Sequence, residues 1–286
     1  MKKNKVELSK ITTYRFGGEC KSFYSINSPN QIEEVLSQSI NDEIFVLGKG
    51  SNIAFSDDDY PGTIVKNEIE FIKLIDDKGS INVGAGTYLP DLSRFLYEQE
   101  LTGGEFLLGI PGTVGGAIKM NAGCYGYEIG NYVTSVICYD LKLKKVIELQ
   151  SDKIRFKYRE SSNLENLIIL SAKLKFDFSE KQVIKKIMSE MNDLRKKSQP
   201  SAIYNAGSVF KNPEGHYAAE LIEKAGLKGY EIDKVSVSLK HANFFVAKKG
   251  ASAKSLFKLV QHVKNIVEEK YGVQLKEEII FIGKFS

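Results

Sequence analysis

The chain is poor in residues that build covalent or metal-held frameworks. Of its 286 residues, three are cysteines (Cys20, Cys124, Cys138) and three are histidines (His216, His241, His262). No two cysteines stand at C-x-x-C spacing, so neither a disulfide frame nor a metal site is expected. The thiols read as reduced, which points to a cytoplasmic protein. No apolar run approaches the ~18 residues that span a bilayer. The basic start Met1–Glu7 has no apolar stretch behind it, so no signal peptide is expected. Charge of one sign is scarce too. Forty Lys+Arg against 36 Asp+Glu leave a net +4, with the signs interleaved. That argues against nucleic acid and is compatible with a small polyanionic substrate. Repeats and low-complexity tracts are absent. A hydrophobic fraction of 42% with 27% charged residues is ordinary for a globular protein, and the length allows two or three packed units.

The common nucleotide fingerprints are missing as well. Gly48-Lys49-Gly50-Ser51 lacks the spacing of a P-loop, and Gly84-Ala85-Gly86 has no third glycine where the Rossmann pattern needs it. Three polar, glycine-bearing segments are present instead. Gly48, Lys49, Gly50, Ser51 and Asn52 follow the strand-like run Ile44–Leu47, an arrangement suited to cradling phosphate, though also to a plain strand-to-loop turn. Residues 109–126 hold six of the 24 glycines in 18 residues, a density that suggests close backbone approach to a ligand. Two such turns could share a dinucleotide diphosphate. The third segment, Asn205–Pro213, places the Ser208 hydroxyl, the Lys211 ammonium and the Asn212 amide within one short stretch broken by Pro213.

Periodicity predicts mixed α and β elements. Helices are expected over 31–39 with Ser28 or Asn30 as cap, 89–99, 179–197, 217–225 stopped by Gly226, and 252–271 capped by Ser252 and closed by Gly272. Strands are expected over 43–47 (buried), 63–66, 69–75, 80–84, 133–141, 144–148, 166–176, 244–247 and 278–283. Their alternation suggests mixed or antiparallel sheets.

Taken together, the motifs Leu47–Asn52, Gly109–Gly126, Phe156–Ser161 and Ala206–Pro213 resemble, in order, those of the flavin-dependent UDP-N-acetylenolpyruvoylglucosamine reductases. Gly226–Tyr230 and Lys240–Phe244 add to the likeness, which runs from Thr12 to Gly283. The resemblance implies an α+β fold: a two-lobed FAD-binding domain of the vanillyl-alcohol-oxidase (PCMH) type, with lobes at 1–62 and 63–178, then an α+β substrate-binding domain at 179–286. Asn212–Tyr217 passes straight into a helix, so the chain resembles the shorter form of the family, without an inserted tyrosine loop.

The resemblance also implies roles. FAD, bound non-covalently, would lie on Gly48, Lys49, Gly50, Ser51, Asn52, Gly109, Ile110, Pro111, Gly112, Thr113, Gly115, Gly116, Asn121, Ala122, Gly123, Ile169 and Arg195. NADPH would donate hydride. The substrate, UDP-N-acetylglucosamine enolpyruvate, would meet Tyr158, Lys211, Asn212, Lys228 and His241. Arg159 and Glu278 would stabilise the enolate-like charge, and Ser208 would deliver the proton. Glu278 could help only if it held a proton, so a raised pKa in a desolvated site is expected. A monomer without nucleic-acid or membrane partners is implied.

The chain departs from the family pattern near its end. Relatives often carry Pro-Glu-Val-Arg where Glu277-Glu278-Ile279-Ile280 stands, which leaves two candidates for one catalytic glutamate. Leu239 and Asn131 replace common acidic residues. Two further readings stay open: another enzyme on the same FAD fold, and a non-catalytic binding relative.

Overall fold

The computed structural model describes residues 2–39, 42–201 and 204–285. The chain divides into two compact units. The first comprises Met1–Lys3, Phe23–Gly48 and Thr63–Arg195; the second comprises Asn4–Ser22, Lys49–Gly62 and Lys196–Ser286. The described residues form six α-helices: α1 (Gln31–Ser37), α2 (Leu89–Glu98), α3 (Val114–Lys119), α4 (Lys181–Ser198), α5 (Ala218–Lys224) and α6 (Ala253–Tyr271).

The first unit is built on a five-stranded sheet in the order Lys145–Gln150, Val133–Asp140, Leu167–Lys175, Ser80–Gly84, Ile72–Leu74. Every neighbouring pair is antiparallel. Residues 168–172 of its central strand are all buried, because both faces of the sheet are covered. Ile169 joins a core with Leu89, Leu92 and Leu96 of α2 and Val114 and Ile118 of α3. Ile168 and Leu170 join another with Ile32 and Val35 of α1. Consecutive strand residues thus feed opposite layers, as the two-residue period requires.

The second unit packs α5 and α6 against a small antiparallel sheet, Glu231–Ile232, Val235–Val237 and Phe245–Ala247. Leu256, Leu259, Val260, Val263 and Val267 form the buried stripe of α6, at helical spacing. They share one core with Leu221 and Ile222 of α5 and with Val235, Val237 and Phe245. In the same unit Ile53–Phe55 pairs in parallel with Ile280–Ile282.

Most expected elements form, with local corrections. The helix expected over 31–39 ends at Ser37, and neither Ser28 nor Asn30 caps it. Asn30 has helical dihedrals and no capping bond; the Gln31 side chain instead accepts from the N–H groups of Asn27 and Ser28. The strand Ile44–Leu47 was expected to be buried, yet only Leu47 is, because the strand lies at a sheet edge and pairs on one side with Thr63–Lys66. The strand expected over 69–75 narrows to Ile72–Leu74. The strand expected from Glu278 begins at Ile280, for a reason given below.

The caps of α6 match expectation. Ser252 Oγ accepts from Ser255 N at 3.0 Å, and Gly272 stops the helix at φ +67°. A further cap was not legible locally: Asp57, almost 200 residues earlier, accepts from Ala253 N at 2.8 Å and Lys254 N at 3.1 Å with its two carboxylate oxygens. Both orphan donors and the helix dipole favour a carboxylate there. Asp57→Ala is expected to lower stability by about 1–2 kcal/mol, read as an earlier urea midpoint at unchanged slope.

Candidate active site

In the first unit, residues 111–115 lie along 85–89. Leu89 N donates to Gly112 O, Val114 N to Thr87 O and Gly115 N to Ala85 O, at 2.8–3.0 Å. Thr113 Oγ1 accepts from Gly116 N at 3.4 Å and caps α3. A Cβ on Gly48 would lie 2.5 Å from that same Oγ1. The first two glycine segments of the sequence therefore meet in this unit, and Gly48 is glycine because Thr113 leaves no room for a side chain. Gly109 is covered by the stem of Arg195, whose Cδ would lie 2.9 Å from an added Cβ. Arg195 lines a small cleft with Phe106, Tyr125, Met188 and Met191. Burial lowers the pKa of its guanidinium. The nearby groups that favour its charge, Cys124, Tyr125 and Tyr88, are neutral when protonated. A partly desolvated cation over a glycine turn suits an anionic ligand.

Arg159 stands in the turn of the hairpin Arg155–Lys157/Glu160–Ser162, at φ +54°. Its Nη2 donates to Gly123 O, its Nη1 lies 3.9 Å from Glu128 Oε1, and its guanidinium sits over the Tyr158 ring at 4.9 Å. Asn121 holds this assembly. Fully buried, it donates from Nδ2 to Glu128 Oε2 at 2.7 Å and to Lys157 O at 2.9 Å, and accepts from Gly130 N at 3.0 Å. The side chain expected to touch the cofactor is thus used inside the protein, as the brace of Arg159. Cys124, next to Gly123, is pushed up by burial, while the charges of Arg195 and Arg159 pull its pKa down. Ile169 is a buried strand residue whose carbonyl accepts from Asn67 Nδ2 at 2.8 Å.

In the second unit, Gly50 takes φ +64°, and a Cβ there would meet Ile11 O at 2.8 Å and Thr12 Cα at 3.0 Å. Thr13 N and Oγ1 both donate to Gly50 O. Asn52 carries the turn to the end of the chain: its Nδ2 donates to Glu278 O, and its carbonyl accepts from Ile280 N, each at 3.0 Å.

Ser208 is placed by Asn243. Val209 N donates to Asn243 O at 2.8 Å, Phe210 N to Asn243 Oδ1 at 3.0 Å, and Asn243 Nδ2 to Phe210 O at 2.8 Å. The next partner of this segment is Glu278, whose N–H donates to Val209 O at 2.8 Å. Ser208 and Glu278, 70 positions apart in sequence, are therefore brought to neighbouring positions of one backbone pairing. Both side chains are half-buried. The Ser208 hydroxyl has no hydrogen-bond partner among the described residues. A Cβ on Gly207, at φ +79°, would meet nothing within 4 Å, so the space beside the serine is open. Glu277 is engaged elsewhere: its Oε1 lies 2.7 Å from Lys264 Nζ on α6. Of the two glutamates, Glu278 is the one whose N–H meets the segment that carries Ser208.

The other expected substrate contacts are partly committed. Asn212 Oδ1 accepts from Ala218 N at 3.0 Å, at the start of α5. Lys228 Nζ pairs with Glu223 Oε1 at 2.8 Å. His241 Nδ1 accepts from Asn243 N at 3.2 Å, and burial, then the Lys228 charge, lowers its pKa and favours neutral imidazole. Lys211 anchors the pairing through its N–H to Lys276 O at 2.9 Å. Asn243 and Lys264 were not singled out by sequence as site-shaping residues. Asn243 had a signal in the Lys240–Phe244 motif; Lys264 had none, since it reads as one more lysine on a surface helix.

Within the first unit, the glycine turn at 109–116 and the partly desolvated Arg195 make a donor set that fits a diphosphate. No helix is long and apolar enough to cross a membrane, and no cluster of three or more metal-ligating side chains occurs among the described residues.

Comparison with known proteins agrees with this geometry. Residues 24–150 match the model of an FAD-binding domain, and residues 199–282 match the C-terminal domain of UDP-N-acetylenolpyruvoylglucosamine reductase. The UDP-N-acetylenolpyruvoylglucosamine reductase of Clostridium novyi is 35% identical over 99% of this chain and 93% of its own length. That of Fervidobacterium nodosum is 38% identical over 96% and 89%. The crystal structure of the Thermus caldophilus reductase superposes with a TM-score of 0.85 at 32% identity, covering 99% of this chain and all of the other. The chain belongs to the family of UDP-N-acetylenolpyruvoylglucosamine reductases, FAD-containing oxidoreductases of peptidoglycan precursor synthesis.

Proposed function

We propose that this chain reduces UDP-N-acetylglucosamine enolpyruvate to UDP-N-acetylmuramate with NADPH, and that Ser208, Arg159 and Glu278 carry the chemistry at the substrate. The observation that supports this reading is the bond from Glu278 N to Val209 O, which pairs the backbone of Glu278 with the residue next to Ser208. FAD supplies the two-electron carrier between NADPH and the methylene carbon of the enolpyruvyl group. The glycine turns at 48–52 and 109–116, with Arg195, would hold its diphosphate.

Hydride arrival at the methylene carbon leaves negative charge on the adjacent carbon, shared with the substrate carboxylate. Arg159, locked by Gly123 O, Glu128 and Tyr158, presents a preorganised cation to that charge. Ser208 Oγ–H gives its proton to the carbon. A serine is a weak acid, but a carbanion is a base strong enough to take its proton. Glu278 assists as the protonated acid, donating to the substrate carboxylate. The substrate diphosphate is held by Lys228, which exchanges Glu223 for phosphate, with the Asn212 amide and Lys211 beside it. Tyr158 and His241 complete the substrate contacts. In this reading 1–62 and 63–178 serve mainly the cofactor and 179–286 mainly the substrate, with Tyr158 and Arg159 crossing to the substrate and Arg195 to the cofactor. The protein works as a cytoplasmic monomer.

Three outcomes test this reading. Ser208→Ala should leave flavin bleaching by NADPH nearly intact, since that half-reaction needs no proton at substrate carbon. Recolouring by substrate should fall by ~10²–10⁴. Equal losses in both half-reactions, or an undiminished second one, would remove Ser208 from its role. Lys228→Ala should raise the Michaelis constant for substrate by about ten- to a hundredfold, as for a charge-assisted contact of ~1.5–3 kcal/mol, at unchanged flavin content; loss of flavin instead would assign Lys228 to the cofactor. Acid precipitation should release all flavin from the chain. The Cys124 thiol is held protonated by burial and is a poor nucleophile, so colour remaining in the pellet would contradict a non-covalent cofactor.

A further inference from the structure

The end of the chain presents two consecutive glutamates to a site that uses one. Val209 O accepts from both Glu278 N, at 2.8 Å, and Ile279 N, at 3.4 Å. Two residues of one strand therefore oppose one residue of the other, which is a β-bulge. The bulge explains why the final strand starts at Ile280 and not at Glu278. Next to it, Phe210 and Glu277 form a bridge pair, closed on the far side by Lys211 N donating to Lys276 O.

A bulge of this kind can move by one residue. Shifting it from 278–279 to 277–278 would leave Lys276 O and Ile279 N with their present partners, Lys211 N and Val209 O, and would give up only the bond from Glu278 N to Val209 O. It would, however, exchange the faces of Glu277 and Glu278, because neighbouring extended residues project to opposite sides. Carboxylate chemistry alone does not select one arrangement over the other. A proline at 277 would fix φ there and hold the register by the backbone alone; this chain has glutamate.

Lys264 supplies the missing selection. It sits on α6 between Val263 and Val267, both fully buried, and its Nζ reaches Glu277 Oε1 at 2.7 Å. The two side chains are only 29% and 27% exposed, so neither charge is fully hydrated without the other. We propose that Lys264 is a positioning residue for the reduction: by claiming Glu277 it holds the bulge at 278–279 and commits Glu278 to the substrate. The inference rests on the reading that Glu278 acts at the substrate.

The test uses the flavin-loaded full chain and follows the two half-reactions by stopped flow. Glu278→Gln is the control for the underlying reading and should slow recolouring by substrate at least ~10²-fold; an active Glu278→Gln enzyme sinks that reading and this inference with it. Given that control, Lys264→Met should slow recolouring about tenfold or more, as misplacement of a catalytic group does. Substrate affinity, flavin content and bleaching by NADPH should stay within twofold. The deciding variant is Lys264→Met/Glu277→Gln. With one carboxylate left there is no competition, so the double variant should recover most of the lost rate. A Lys264→Met enzyme as fast as the parent overturns the proposal. So does a double variant as slow as the single one, because a merely structural ion pair behaves that way. If Lys264→Met does not fold, Lys264→Gln replaces it in both comparisons and is read identically.

Discussion

The carbonyl of Val209 is the constraint on which the candidate chemistry depends. It receives the N–H of Glu278 and so fixes the distance in register between the proposed proton donor and the proposed carboxylic acid. Asn243 holds the backbone on either side of that carbonyl. Through its own carbonyl and its side-chain amide it binds Val209 N, Phe210 N and Phe210 O, and only 3% of it is exposed. Buried backbone groups left without partners would be costly, so this segment has few alternatives. Asn52 extends the same constraint toward the first glycine turn by binding Glu278 O from its side chain.

A similar logic operates around Arg159. A long, flexible cation is useful for charge stabilisation only if its position is settled beforehand. Here the backbone carbonyl of Gly123, the Glu128 carboxylate and the Tyr158 ring share that task. Asn121, buried and saturated with hydrogen bonds, ties those supports together. In both units, asparagines that read as ligands or as background in the sequence serve to place backbone, and the residues they place are those proposed for chemistry.

The glycines divide into two kinds on the same physical ground. Gly48 and Gly50 are required by the protein itself, since a Cβ would strike Thr113 or the Ile11 carbonyl. Gly207 faces open space at positive φ, where the backbone conformation rather than crowding demands glycine. Glycine density in sequence does not separate these cases, because both give the same letter.

The sequence by itself determined the element types, the long amphipathic helices and the order of motifs, because hydrophobic period and capping residues act within a few positions. Ser252 and Gly272 bound α6 as expected on these local grounds. It also determined the family, since several specific motifs in fixed order are legible without coordinates. Tertiary structure decided what depends on distant partners: the Asp57 cap on α6, the exposure of the strand Ile44–Leu47 at a sheet edge, and the use of Asn121 as a brace. It also gave Glu277 and Glu278 different partners. Adjacent identical side chains look alike in sequence, but Glu277 meets a lysine reaching across from α6, while the N–H of Glu278 meets Val209 O, and both partners lie far along the chain.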